Sequence, residues 1–352
     1  MPTNYRQIGA WLLRLTLMLV RRSNLANLPK LKPTALDAYW NRRQFLQALG
    51  MATGAAIGFE NFGGLSCSAA GPPDHIGPRE LILQPGVERM EIMRRFPVAR
   101  NAAMSRLPGE FQDLTDPLAA ATHNNFYEFL PGGGGEVWRF CRRFTPDPWS
   151  IEITGLCHKP RIFDLDDLFA LELEERVYRF RCVERWAMDV PWTGVPFHQV
   201  LTAVEPNSNA RYVRFITASP EAMGGRESPG YDWPYYEALR MDEAMNELTL
   251  LATGVYGQPL PRQHGAPARM VLPWKYGYKG AKSIVRIELV DRQPPTFWND
   301  AQPTEYDFLS NIDPAVPHPR WAQNVEQMLD TGEHRPTLKY GGYGQYVAHL
   351  YE

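Results

Sequence analysis

The chain has 352 residues, 44% hydrophobic and 22% charged, which is ample for a sizeable core and excludes a disordered chain. A formal net charge of -2 with both signs interspersed leaves no basic stripe, so nucleic acid is not an expected partner. The 31 prolines and 28 glycines supply many turns and point to an α+β fold of mixed sheets with short helices and long loops rather than a helical bundle.

The amino-terminal 70 residues read as an extension and an address. Asn41-Arg42-Arg43-Gln44-Phe45-Leu46 precedes an apolar, glycine-containing run over residues 48–59 that is too short to span a bilayer comfortably. This pattern resembles a twin-arginine export signal, and Ser68-Ala69-Ala70 places small residues where a signal peptidase would cut. Such a signal implies a periplasmic protein exported already folded. A second apolar stretch, residues 8–20, fits either a membrane-surface helix or an upstream start codon.

Residues 71–121, rich in Pro, Arg and Met without a period, are expected to form an arm, followed by a catalytic domain over 122–352. Within it, Pro131-Gly132-Gly133-Gly134-Gly135 reads as a surface loop. Residues 149–155 alternate like a strand, and Asp164 can cap a short helix through Phe169. In residues 177–183 the period of two puts Tyr178, Phe180 and Cys182 on one face and Arg179 and Arg181 on the other. Strands are further predicted over 212–217, 269–272 and 284–290, and a helix near 196–204. No strand–GxGxxG–helix unit is present, which argues against a nicotinamide or flavin Rossmann domain.

Three clusters could carry chemistry. Arg181-Cys182-Val183-Glu184 sets a thiol beside a guanidinium expected to favour the thiolate, although taken alone Cys182 reads more readily as a small buried core residue. His264-Gly265-Ala266-Pro267-Ala268-Arg269 and Lys275-Tyr276-Gly277-Tyr278-Lys279-Gly280-Ala281-Lys282 combine cations, glycines and aromatic rings, as a phosphate pocket requires, or else are solvated loops. Asn124-Asn125-Phe126-Tyr127-Glu128-Phe129 could hydrogen-bond a heterocycle or simply turn into the core. Of the four cysteines, Cys67 falls in the expected signal, no CxxC pair suggests zinc, and a Cys141–Cys157 disulfide is left open.

Together with Pro273-Trp274-Lys275-Tyr276-Gly277, these motifs resemble, in the same order and similar spacing from residue 122 to 351, the catalytic subunits of periplasmic protein-methionine-sulfoxide reductases, molybdopterin enzymes of the sulfite-oxidase fold. The resemblance implies one molybdenum-molybdopterin (Mo-MPT) per chain with Cys182 as metal ligand. It places Asn124, Tyr127, Glu128, Thr217, His264, Arg269, Gly280, Ala281 and Lys282 against the cofactor, and Asn125 and Glu184 beside the metal on the substrate side. His264 stands where some relatives carry Asn and is expected to titrate near neutral pH.

The implied reaction is reduction of methionine sulfoxide, free or in oxidised exported proteins, by a monomeric catalytic subunit. Its electrons would come from a haem-bearing membrane subunit fed by quinone, since the chain has no CxxCH haem site of its own. Rival readings are a sulfite oxidase or another sulfoxide or N-oxide reductase of the same fold, and a non-catalytic exported protein that binds a pterin or a phosphorylated ligand.

Overall fold

The structure is a computed structural model that describes residues 78–105, 107, 113–130 and 136–352. The export signal, the apolar stretch 8–20, the small-residue cleavage site, Cys67 and the glycine loop 131–135 lie outside the described residues.

Twelve strands are described: β1 (Ser150–Gly155), β2 (Arg161–Asp164), β3 (Glu174–Arg181), β4 (Trp186–Pro196), β5 (Tyr212–Thr217), β6 (Tyr236–Arg240), β7 (Leu250–Val255), β8 (Gln258–Pro259), β9 (Arg269–Val271), β10 (Ile284–Val290), β11 (Val325–Met328) and β12 (His334–Pro336). Five form a sheet in the order β2-β1-β10-β5-β6; seven form another in the order β12-β11-β4-β7-β8, with β3 on β4 and β9 on β7. β1 and β10 are parallel, as are β11 and β4, whereas the remaining pairs are antiparallel. These mixed sheets with short helices are the α+β architecture that the composition led one to expect.

Local chemistry explains the elements that were legible. β5 buries Val213, Phe215 and Thr217 and turns Tyr212, Arg214 and Ile216 outward, the alternation of a strand with one wet face. Helix Leu165–Ala170 begins at a capping box between Asp164 and Asp167. Helix Phe197–Val204 buries Phe197, Val200, Leu201 and Val204, a single stripe at helical spacing. Phe197 meets Phe215 at 5.5 Å between ring centroids inside the main core, where each fully buried large side chain contributes roughly 1.5–3 kcal/mol.

The arm is stitched onto the sheets by backbone as well as side-chain bonds. Gly86 N donates to Leu260 O at 2.8 Å, Thr115 N to Asp189 O at 2.9 Å, and Gln263 Nε2 to Ile82 O at 2.6 Å. Cys141, Cys157 and Cys182 are all free thiols, which corrects the open possibility of a Cys141–Cys157 disulfide.

Candidate active site

β3 and β4 form an antiparallel hairpin whose last strand partners are Arg181 and Ala187. Cys182 is therefore the first residue of the turn: its N–H donates to Trp186 O at 2.9 Å, its carbonyl accepts from Arg185 N at 3.0 Å, and Arg185 closes the turn at φ +76°. The turn points the thiol, 5% exposed, at the floor of a cleft of about 770 Å³ counted to its open mouth.

Two donors face the sulfur, Glu184 N at 3.5 Å and Asn125 Nδ2 at 3.6 Å; the same amide nitrogen reaches Glu184 Oε2 at 2.9 Å. Trp186 Nε1 adds a bond to that carboxylate oxygen at 3.2 Å. Asn125 and Glu184 thus sit together beside Cys182, where the resemblance placed them.

The protonation state of the thiol differs from the expectation. Burial, reinforced by Glu184, pushes its pKa well up, and Arg181 opposes this only weakly. The reason is that the Arg181 side chain runs into the protein to Glu326, with Nε 3.2 Å from Oε2. Left to itself Cys182 is a thiol and a poor nucleophile, and a bound cation is what would make it a thiolate.

Asn124, Tyr127 and Glu128 line the same cleft. Asn124 Nδ2 is anchored on Ala121 O at 2.9 Å, and Tyr127 packs edge-on against Trp298 at 4.9 Å. Glu128 is buried, and its pKa is pushed up to about 7 by desolvation against the pull of Lys282.

Arg269 and Lys282 supply the positive wall. Arg269 is 2% exposed, no carboxylate of the described residues lies within 4 Å of its guanidinium, and among the described residues its Nη2 is a buried donor without a partner. Nη1 donates to His264 O at 3.1 Å, and burial lowers the pKa to about 9. Lys282 Nζ donates to Asn125 O at 2.8 Å. Gly280 makes room for this group: a Cβ there would stand 2.6 Å from Met270 O and 3.3 Å from Arg269 Nη2.

The remaining expected residues lie behind the wall rather than on the cleft surface. Thr217 is buried at the end of β5 and bonds Tyr235 O at 3.1 Å, Ala281 gives its carbonyl to Met270 N at 2.9 Å, and His264 packs against Trp192 at 6.0 Å. His264 does not titrate near neutrality here: burial, then Arg269 and Lys282, push its pKa down to about 3. Its Nδ1 is a further buried atom without a partner.

Sequence reasoning missed most of the aromatic lining. Tyr235, Tyr278, Trp298 and Tyr306 line the cleft, with Trp298 to Tyr306 at 5.2 Å and Tyr278 to Tyr306 at 5.1 Å. Tyr278 stood inside a quoted motif, but Trp298 comes from the short helix Phe297–Ala301 and Tyr306 from the loop after it, neither with a local signature. Gly277 is also required, since a Cβ would fall 2.3 Å from the Phe180 ring. Lys275 and Lys279 face away from the cleft and are spent on buried pairs with Glu243 at 2.6 Å and Glu237 at 3.0 Å.

These features fit a molybdopterin. A buried guanidinium with an unpartnered nitrogen and no carboxylate of the described residues beside it calls for an anion such as phosphate, and a soft sulfur lines the same cleft. Among the described residues no group of three or more His, Cys, Asp or Glu could hold a metal ion. A metal on Cys182 must therefore bring its other ligands with it, as a pterin dithiolene does.

Comparison with known proteins agrees. Residues 139–298 match the model of the oxidoreductase molybdopterin binding domain. The chain is 43% identical over 333 residues to the protein-methionine-sulfoxide reductase catalytic subunit MsrP of Burkholderia mallei, covering 92% of this chain and 93% of that one. It is 49% identical over 255 residues to that of Ralstonia nicotianae, covering 69% and 75%, and 40% identical over 333 residues to that of Xanthomonas axonopodis pv. citri, covering 92% and 95%. With the thiol, the positive wall and these relatives in agreement, the chain belongs to the family of molybdopterin-dependent protein-methionine-sulfoxide reductase catalytic subunits.

Proposed function

We propose that this chain reduces methionine sulfoxide, free or within oxidised exported proteins, to methionine and water as the catalytic subunit of a membrane-linked repair system in the periplasm. The observation that carries the reading is Cys182 on the same cleft as the buried Arg269, which has no carboxylate of the described residues within 4 Å. In the overall reaction the S–O bond breaks, the sulfur gains two electrons, and the oxygen leaves with two protons as water.

When bound, Mo-MPT supplies the oxygen acceptor and the store for both electrons. Cys182 would hold its metal, Arg269 and Lys282 its phosphate, and Asn124, Tyr127 and Glu128 its pterin side, with Gly280 leaving the space and Thr217, His264 and Ala281 backing the wall. Asn125 orients Glu184, whose carboxylate is solvent-exposed beside the sulfur and can pass protons inward. Tyr127, Trp298 and Tyr306 offer ring edges to the substrate methyl and sulfur, contacts worth about 0.3–1.5 kcal/mol each.

Two further parts of the proposal rest on the sequence. Arg42-Arg43 with its apolar run and the small residues at 68–70 support twin-arginine export to the periplasm. The lack of CxxCH and of a dinucleotide-binding unit supports a haem-bearing membrane subunit as electron donor.

The test is molybdenum analysis of the matured wild type and of Cys182→Ser, followed by a reduced-viologen assay with methionine sulfoxide. Near-stoichiometric metal and sulfoxide-dependent dye oxidation are expected in the wild type, with turnover lost in the variant. Metal without sulfoxide turnover would move the substrate elsewhere; wild type without molybdenum would sink the reading.

A further inference from the structure

The turn that carries Cys182 is gripped from behind by a segment beyond the matched domain. Val183 O accepts two side-chain bonds, from Trp321 Nε1 at 2.9 Å and Gln323 Nε2 at 2.8 Å. Gln323 is 2% exposed, and its Oε1 accepts from Arg181 Nη2 at 2.8 Å, while Arg181 Nη1 donates to Cys182 O. Trp321 is itself fixed, its ring stacked on His318 at 3.9 Å between centroids and covered by the Arg320 guanidinium at 4.7 Å.

Val183 C=O and Glu184 N–H belong to one planar peptide unit. Its oxygen takes both side-chain donors, and its N–H is directed at Cys182 Sγ, 3.5 Å away. Two donors on the carbonyl lock the plane of that peptide and polarise it, which strengthens the N–H as a donor to sulfur. Hydrogen bonds to a metal-bound sulfur withdraw electron density and raise the reduction potential of the metal.

We propose that Trp321 and Gln323 are positioning residues that set the donor strength of the Cys182 sulfur through the Val183–Glu184 peptide, and with it the reduction potential of the bound metal. This rests on Cys182 being the metal's ligand. Neither side chain lines the cleft, so their influence is separable from substrate contact.

The experiment uses the matured, metal-loaded protein as wild type, Trp321→Phe, Gln323→Leu and Gln323→Met, and measures molybdenum content together with the one-electron midpoint potential by spectroscopically monitored titration. Trp321→Phe keeps the ring stack and removes only the N–H, which guards against a variant that fails by unfolding. The expected result is metal retained and a potential lowered about tenfold in the equilibrium constant per donor removed, about 59 mV, with a changed spectrum of the half-reduced metal. Variants that hold wild-type metal at wild-type potential would overturn the proposal. Wild type lacking metal, or Cys182→Ser holding it with an unchanged spectrum, would instead overturn the ligand assignment beneath it.

Discussion

The loop from Lys275 to Lys282 and the strand before it hold four cations, three buried and Lys282 half-buried, and they divide into two kinds. Lys275 and Lys279 each meet a buried carboxylate, Glu243 and Glu237, at 2.6 and 3.0 Å. Lys275 also bonds Leu309 O at 2.7 Å and Asn311 Oδ1 at 2.8 Å, so its charge is fully answered within the protein. Arg269 is as deeply buried and Lys282 half-buried, and their hydrogen bonds go to carbonyl oxygens, from Arg269 to His264 O and Met270 O and from Lys282 to Asn125 O, with no carboxylate of the described residues within 4 Å. A buried charge with no carboxylate in contact costs free energy in the cofactor-free protein. The difference teaches that the first pair belongs to the fold, whereas the second has the unanswered charge that the proposed cofactor phosphate would meet, although all four look alike in composition.

That division can be broken by removing one member of each kind. Lys275→Met would strand Glu243 in the interior and cost about 3–5 kcal/mol in urea unfolding, with or without cofactor; wild-type stability would show that the pair is dispensable. Arg269→Leu should leave the cofactor-free protein at least as stable as wild type while lowering cofactor retention about 10–100-fold after desalting. A cofactor-free variant as unstable as Lys275→Met would erase the distinction.

Glu128, the carboxylate that acts on Lys282 from a distance, gives a third handle. Its folded pKa of about 7 lies above its ordinary value of 4.5, so its protonated form is favoured by folding. The stability it contributes is complete below about pH 4.5 and lost as the pH rises through 7, with a slope of at most about 1.4 kcal/mol per unit. Melts of cofactor-free Glu128→Gln across that window should be flatter than those of wild type. As the smallest effect, Arg286→Ala, which opens a half-exposed pair with Glu152 at 2.9 Å, should change stability by less than about 1 kcal/mol.

The same contrast explains what was legible in the sequence. β5 and β10 were readable to the residue, and helix Phe197–Val204 nearly so, because each keeps one wet face, and periodicity records it. β4 and β7 are buried on nearly every residue and show no period to read. Cys182, Arg269 and Lys282 lay in motifs, but nothing local separates Lys282 from Lys275, whose partner Glu243 is 32 residues away. The fate of His264 was likewise set by surroundings, since its neighbours Arg269 and Lys282 and its depth decide its charge. Trp298, from the short helix Phe297–Ala301, and Tyr306, Trp321 and Gln323, from loops, carry no signature until the chain closes.

The stitched arm has a consequence for the order in which the molecule can assemble. The oxygen of Ile82 accepts from Gln263, 181 residues downstream, and that of Leu83 from Gln258, 175 residues downstream. At a ribosomal pace of about 5–20 residues per second, the arm is made roughly 10–40 s before its partners exist. It must wait undocked until residues 258–263 have been made, whereas β10, β11 and β12 are made later still, so the arm can dock before either sheet is complete.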